Sequence, residues 1–213
     1  MTRTILIMAG GTGGHVFPGL AVADFLRSLG WNVVWMGART GMEARLVPAR
    51  GYRMAWIRAA ALRGKGIARA LLLPPQLLIG FWQSARAIFE LRPDVVLGLG
   101  GYVAFPGGMM ASLLNRPLAI HEQNSVAGFA NRVLAKLANR VLAAFPGAFD
   151  AVTAVILTGN PVREEIAALA PPEARYQRRT GRLSLLVVGG SQGAQVLNTV
   201  VPEALALLPP EAR

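Results

Sequence analysis

The chain contains no cysteine, which removes disulfides, thiolate metal sites and cysteine nucleophiles and fits a reducing compartment. Acidic residues are scarce, 11 against 22 Lys and Arg, giving a formal net charge of +11. No Asp-x-Asp and no cluster of metal-ligand residues occurs, so a metal-free mechanism without a cofactor is expected. Helix-turn-helix patterning, RNP aromatics and zinc spacing are missing too, so nucleic acid is not the expected partner of the positive charge. Hydrophobic residues make up 53% of the chain and the mean hydropathy is +0.42. Yet no apolar run reaches the ~18–20 residues needed to span a bilayer. The longest, residues 71–82, is interrupted by Pro74-Pro75 and Gln76. The N-terminal apolar run ends too soon for a secretory signal. A cytosolic protein with room for a substantial core in its 213 residues is therefore expected.

What is present is organised around the first 27 residues. Thr4-Ile5-Leu6-Ile7-Met8-Ala9 has the pattern of a strand buried on both faces. It breaks into Gly10-Gly11-Thr12-Gly13-Gly14-His15, after which a helix is expected from Phe17, with Pro18 in its first turn. Strand, glycine turn and helix in that order set several backbone N–H groups at the positive end of a helix dipole, a ready site for phosphate. The turn is not a dinucleotide fingerprint. Read as G-x-G-x-x-G from Gly11, its third glycine falls on Val16, and the second strand (32–37) ends without a carboxylate for a ribose. No P-loop occurs either. A tight structural turn is the alternative, but four glycines around a threonine, with a histidine at the mouth, exceed what packing alone needs.

Further strands are expected at 52–57, 95–99, 117–120 and 140–144. Helices are expected at 41–48, from 67 to 73 and again from 77 to 91 around the proline pair, at 109–114 and at 131–139. This alternation implies an α/β fold with a parallel, doubly wound sheet, whose ligands sit beyond the strand C-termini. The odd clusters fall there: Gly100-Gly101-Tyr102 and His121-Glu122-Gln123-Asn124-Ser125. A late unit repeats the opening one, with a strand at 183–188, the turn Gly189-Gly190-Ser191-Gln192-Gly193-Ala194 and a helix at 196–208. The expected organisation is a first domain at 1–160, a linker at 161–182 and, at 183–213, the first βα unit of a second domain. That unit cannot bury its faces alone, so the chain reads as unfinished.

The charge is concentrated. Residues 39–92 hold ten basic side chains and only two acidic ones, Glu43 and Glu90. The same segment carries the most apolar run. Arg63, Lys65 and Arg69 beside Leu77, Phe81 and Trp82 make an apolar patch ringed by cations. That suits an anionic membrane surface, although an amphipathic helix packed on the sheet must account for part of the pattern.

Taken jointly, these motifs and Gly159-Asn160-Pro161-Val162-Arg163 resemble the MurG family along essentially the whole chain. Its members are UDP-N-acetylglucosamine:N-acetylmuramyl-(pentapeptide) pyrophosphoryl-undecaprenol N-acetylglucosaminyltransferases, which act in peptidoglycan synthesis and hence in cell shape and division. The resemblance implies a GT-B-type glycosyltransferase, with two Rossmann-like domains facing a cleft, of which this chain is the acceptor-side domain plus the start of the donor-side one. It implies inverting transfer from UDP-N-acetylglucosamine to a lipid-linked muramyl-pentapeptide diphosphate, at the cytoplasmic face of the inner membrane as a peripheral protein. The different-class alternative is a non-catalytic lipid- or nucleotide-binding module.

Sugar transfer to a hydroxyl needs a base beside that hydroxyl and stabilisation of the departing diphosphate. His15 is the natural base, since an imidazole titrates near working pH; helix capping or phosphate contact is the other reading. His121 is equally plausible as a structural group. Glu122 either orients a base or acceptor, as a second catalytic candidate, or fixes its loop. The resemblance implies that Thr12, Gly13 and Gly14 meet the nucleotide sugar or the acceptor diphosphate, and Asn124 offers donor and acceptor groups for a sugar hydroxyl. Arg163 would pair with the donor's diphosphate or reach its base, or stay a solvated linker cation. The resemblance adds Ser191 for the UDP part and Gly101, Tyr102 and Asn131 for the acceptor diphosphate.

Overall fold

The computed structural model describes residues 2–58, 67–150, 154–177, 180, 184–189 and 194–209, the side chains of 67–74 and 194 excepted. It divides into two compact units, Met1–Leu169 and Ala170–Arg213.

The first unit is a seven-stranded sheet in the order β3-β2-β1-β4-β5-β6-β7, every pairing parallel. The strands are β1 (Thr4–Ala9), β2 (Asn32–Gly37), β3 (Arg53–Trp56), β4 (Val95–Gly100), β5 (Leu118–Glu122), β6 (Arg140–Ala143) and β7 (Val155–Leu157). Between them run α1 (Gly13–Ser28), α2 (Glu43–Ala49), α3 (Ile67–Leu91), α4 (Ala104–Leu113) and α5 (Phe129–Leu134), and α6 (Glu164–Ala167) follows β7. The α/β parallel sheet read from the alternation is the architecture observed.

Strand alternation explains the two cores. Ile5, Ile7 and Ala9 of β1, with Val33 and Trp35 of β2, join Leu20 and Ala23 of α1 on one face. Leu6 and Met8, with Val34 and Met36, face Ile88 of α3 and Ala104 and Ala111 of α4 on the other. The chain leaves β1 for β2 and β3 on one side and returns to β4 on the other, so the strand order reverses at β1. The crevice beyond the C-termini of β1 and β4 is the topological switch point, where open α/β sheets take ligands.

Several local expectations are corrected. Helix α1 opens at Gly13, because extended Thr12 (φ −121°, ψ 159°) is its N-cap and its carbonyl accepts from His15 and Val16 N–H; Pro18 therefore lies a turn inside. Pro74-Pro75 do not interrupt α3, which runs as one helix from Ile67 to Leu91. Each proline removes one helix hydrogen bond, a loss offset where the following turns bury Ser84 and Ile88 and set Gly80 against Pro106 of α4. Helix α5 is shorter than expected, and the sheet extends past β6 to an additional edge strand, β7.

In the second unit, α7 (Pro172–Tyr176) and α8 (Ala194–Ala206) form, but residues 184–189 make no strand. A strand exists only by pairing, and Leu185, Leu186, Val187 and Val188 are exposed instead.

Gly19 on α1 lies against buried Trp35, and a Cβ there would come within 2.6 Å of the indole. Alanine in place of a helical glycine ordinarily stabilises by about 1 kcal/mol. At this position the sign reverses. Gly19→Ala is expected to destabilise the fold by about 1–3 kcal/mol, the usual range for overpacking, read as a lower urea midpoint at unchanged slope.

Candidate active site

Three turns meet at the switch point, and a side chain passed over in the sequence reading holds them. Glu43, fully buried at the start of α2, reaches back beneath the first glycine turn. Its carboxylate accepts from the Gly11 amide (3.0 Å), the Ala38 amide (3.1 Å) and the Tyr102 hydroxyl (3.4 Å). A Cβ at Gly10, Gly37 or Gly41 would lie within 3 Å of that side chain, so these glycines make room for it. Gly101, at φ +80°, approaches the Gly10 carbonyl so closely that a Cβ would stand 2.2 Å from its oxygen. The turns after β1 and β4 thus interlock backbone to backbone. Burial, then the Glu43 charge, pushes the Tyr102 phenol above its ordinary value. The signal that could have revealed Glu43 is a carboxylate bracketed by Gly37 and Gly41 just past a buried strand.

With the Gly11 amide turned inward to Glu43, the amides of Gly13 and Gly14 remain at the uncapped start of α1. The Thr12 side chain makes no capping bond. Arg163, half-buried before α6, lies 4.9 Å from the Phe17 ring centroid, and Phe17 itself borders Gly13. Backbone amides, a hydroxyl and a guanidinium thus gather on one rim, groups of the kind that donate to anions.

His15 stands in the first turn of α1 with its ring edge over Gly100, where a Cβ would meet Cε1 at 3.0 Å. Its Nδ1 is 2.9 Å from Gln123 Oε1. Gln123 Nε2 is 3.0 Å from His121 Nδ1 and donates to the His121 carbonyl at 3.0 Å. His121 Nε2 is 2.9 Å from the Gly159 carbonyl oxygen, and Asn160 Nδ2 donates to the Gln123 carbonyl at 3.2 Å. Burial is the chief force on His121 and pushes its imidazole below the usual histidine range, against the opposing pull of the Gly159 carbonyl and the Glu122 charge.

Glu122 is buried at the end of β5, and all its lone-pair positions are used. Oε1 accepts from the Asn124 amide (3.1 Å) and Asn124 Nδ2 (2.8 Å), and Oε2 from the Gly128 amide (3.1 Å) and Asn131 Nδ2 (2.9 Å). That is the geometry of a loop-fixing carboxylate, not of a group free to take a proton. Asn131 is likewise buried. Its amide serves Glu122 and the His121 carbonyl, and its Oδ1, an acceptor, is left without a partner. Its side chain has no donor left for a diphosphate. Exposed Asn124 keeps Oδ1 available for a hydroxyl. Ser191, Arg63 and Lys65 lie outside the described residues, as does the Arg69 side chain.

Phe81, Phe105 and Phe129 form a row across α3, α4 and α5, with ring centroids 5.9 and 6.2 Å apart. Leu77 and Phe81 are half-buried. Apolar side chains that face solvent include Leu78 (69% exposed) and Trp82 (62%) of α3, Val126 (73%) and Phe129 (57%). Among the described residues no helix is long and apolar enough to cross a membrane.

Residues 5–143 match the glycosyltransferase family 28 N-terminal domain. The chain belongs to that family. The MurG resemblance read from the motifs is matched by relatives named UDP-N-acetylglucosamine–N-acetylmuramyl-(pentapeptide) pyrophosphoryl-undecaprenol N-acetylglucosamine transferase. That of Dechloromonas aromatica is 62% identical over 98% of this chain and 58% of its own length. That of Cupriavidus pinatubonensis is 63% identical over 99% and 58%. The crystal structure of Acinetobacter baumannii MurG aligns with a TM-score of 0.78 at 40% identity, over 97% of this chain and 58% of that one. The chain thus spans a little over half the length of these relatives, and its first unit has the Rossmann-like fold of the N-terminal domain of GT-B glycosyltransferases.

The family 28 domain should carry a pH signature from His121. Because its folded-state value is depressed, the unfolded chain binds the extra proton first as pH falls. Stability is therefore expected to fall as pH drops below about 6.5, the free imidazole value. His121→Gln, which cannot titrate, should flatten that slope in unfolding curves taken between about pH 7.5 and about pH 5.5.

Proposed function

We propose that this domain is the acceptor-side half of an inverting glycosyltransferase that moves N-acetylglucosamine from UDP-N-acetylglucosamine to the muramyl-pentapeptide pyrophosphoryl-undecaprenol acceptor. The observation that carries the reading is His15: an imidazole with one nitrogen tied to Gln123, standing beside the uncapped amides of Gly13 and Gly14. In this reading the other ring nitrogen takes the acceptor hydroxyl's proton as that oxygen bonds to the anomeric carbon. The bond to UDP breaks on the opposite face, and the diphosphate leaves with the electron pair. Thr12, Gly13, Gly14 and Arg163 supply donors for diphosphate oxygens, Gly101 and Tyr102 shape the neighbouring turn, and Asn124 Oδ1 accepts from a sugar hydroxyl. Glu122 and Asn131 act as scaffold.

Most contacts to the nucleotide sugar, Ser191 apart, would come from the further length its relatives have. Transfer of labelled N-acetylglucosamine to the lipid acceptor is the decisive assay, run with this chain alone and with the C-terminal remainder of the Dechloromonas relative appended. Transfer by the extended protein is expected. No transfer by either form, alongside retained donor or lipid binding, would favour a non-catalytic binding module. In the active form, His15→Ala should lower turnover by about 10²–10⁴-fold with little change in donor binding. Near-normal turnover would remove His15 from the mechanism.

The same reading places the protein peripherally at an anionic membrane surface, on the cytoplasmic face of the inner membrane, through the basic segment at 39–92 and the apolar face of α3. Charge contributes on the order of 1 kcal/mol per cation near such a surface and is screened by salt, whereas apolar insertion is not. Binding to anionic vesicles is therefore expected to weaken but persist as salt rises. Leu78→Gln with Trp82→Gln should remove the salt-resistant part, and Arg63, Lys65 and Arg69 changed to Gln the salt-sensitive part. Equal affinity for neutral and anionic vesicles would refute the electrostatic half.

A further inference from the structure

We infer that Gln123 is a positioning residue that fixes which nitrogen of His15 carries the proton, and that two backbone carbonyls, those of His121 and Gly159, dictate the choice. A backbone carbonyl can only accept a hydrogen bond. The His121 carbonyl is 3.0 Å from Gln123 Nε2, so the amide must present its nitrogen there and its oxygen to His15. An amide oxygen can only accept. His15, 2.9 Å from it, therefore donates from Nδ1, and its Nε2 is bare. The second carbonyl reaches the same result from the other end. The Gly159 oxygen, 2.9 Å from His121 Nε2, requires a proton on that nitrogen. His121 Nδ1 is then bare in the neutral ring and accepts from Gln123 Nε2 at 3.0 Å. Turning the Gln123 amide over would set its oxygen against both the His121 carbonyl and the bare nitrogen, two repulsive contacts at once. The relay thus has a single consistent polarity: His15 Nδ1–H to Gln123, Gln123 N–H to His121, His121 Nε2–H to Gly159.

This matters because a free histidine side chain prefers the opposite tautomer, with its proton on Nε2. A histidine in that form would present a donor, not a lone pair, at the nitrogen that points away from Gln123. The buried glutamine holds His15 in the form that accepts a proton there. Gly159 and Asn160, in the segment after β7, complete the device: one carbonyl sets His121, and the Asn160 amide holds the Gln123 backbone in register. The tautomer claim stands on this geometry alone. Its catalytic meaning rests on the reading of His15 as the base.

The chain has only two histidines, so a long-range ¹H–¹⁵N correlation spectrum of the ¹⁵N-labelled chain at about pH 8, above free imidazole titration, resolves both rings. Protonated Nδ1 with bare Nε2 is expected for His15, and the reverse for His121. Gln123→Leu removes both partners, and His15 should move toward the Nε2–H form. Gln123→Glu keeps an acceptor facing His15 and replaces the donor facing His121 by another acceptor. His15 Nδ1 should then stay protonated while His121 Nδ1 gains a proton. In the transfer assay, Gln123→Leu should lower kcat about 10–100-fold, the range for an outer partner of an active imidazole, with KM for both substrates within about twofold. An Nε2–H His15 in the unaltered protein, or an Nδ1–H signal indifferent to Gln123→Leu, would overturn the inference. A shifted tautomer with unchanged kcat would overturn the catalytic role and the base assignment with it.

Discussion

The Glu43 carboxylate sits in the interior with no exposure, and the arrangement of the site follows from keeping it satisfied. Removing a donor from a buried carboxylate costs several kcal/mol, so the Gly11 and Ala38 amides and the Tyr102 hydroxyl must converge on it. They belong to the turns after β1, β2 and β4, which are therefore fixed as one body. The glycines at 10, 37 and 41 follow from the same requirement, since each would otherwise place a Cβ inside the space of the Glu43 side chain. Because one amide of the first turn points inward to this fixed charge, the amides that follow it at the start of α1 are left for a ligand.

A second buried carboxylate works the same way on the far side of the crevice. Glu122 gathers Asn124, Gly128 and Asn131, which sets the β5–α5 loop and brings Gln123 under His15. Two buried carboxylates thus organise the rim from beneath.

The βα units and the clustering of motifs at strand C-termini were legible, because parallel strands buried on both faces read as apolar runs and the loops beyond them are where glycines collect. His15 was legible for the same reason. Glu43 was not. Two of its three partners are 32 and 59 residues away along the chain, and a lone glutamate in a short helix reads as solvated. Gln123 stood inside a recognised motif, yet its role depends on which way two backbone carbonyls point, and no spacing encodes that. Helix α3 passed through Pro74-Pro75 because tertiary packing outweighed two lost backbone bonds. The strand expected at 183–188 failed for the converse reason: apolar β-branched residues specify an extended segment, but the ladder needs a neighbour.

The distribution of proton acceptors gives the last step. General-base chemistry at the crevice needs a lone pair that is both unshared and directed outward. Glu122, with four bonds on its two oxygens, fails the first condition, and fully buried Glu43 fails the second. Asn131 Oδ1 is unshared but buried and, as an amide oxygen, scarcely basic. His121 has its Nε2 on the Gly159 carbonyl and its Nδ1 on Gln123. His15 alone among these groups has one nitrogen tied down and the other unengaged, which is the arrangement the proposed base requires. The sequence places an imidazole at the mouth of a glycine turn; in the proposed reading, the bonds that engage its neighbours leave its outward nitrogen to take the proton.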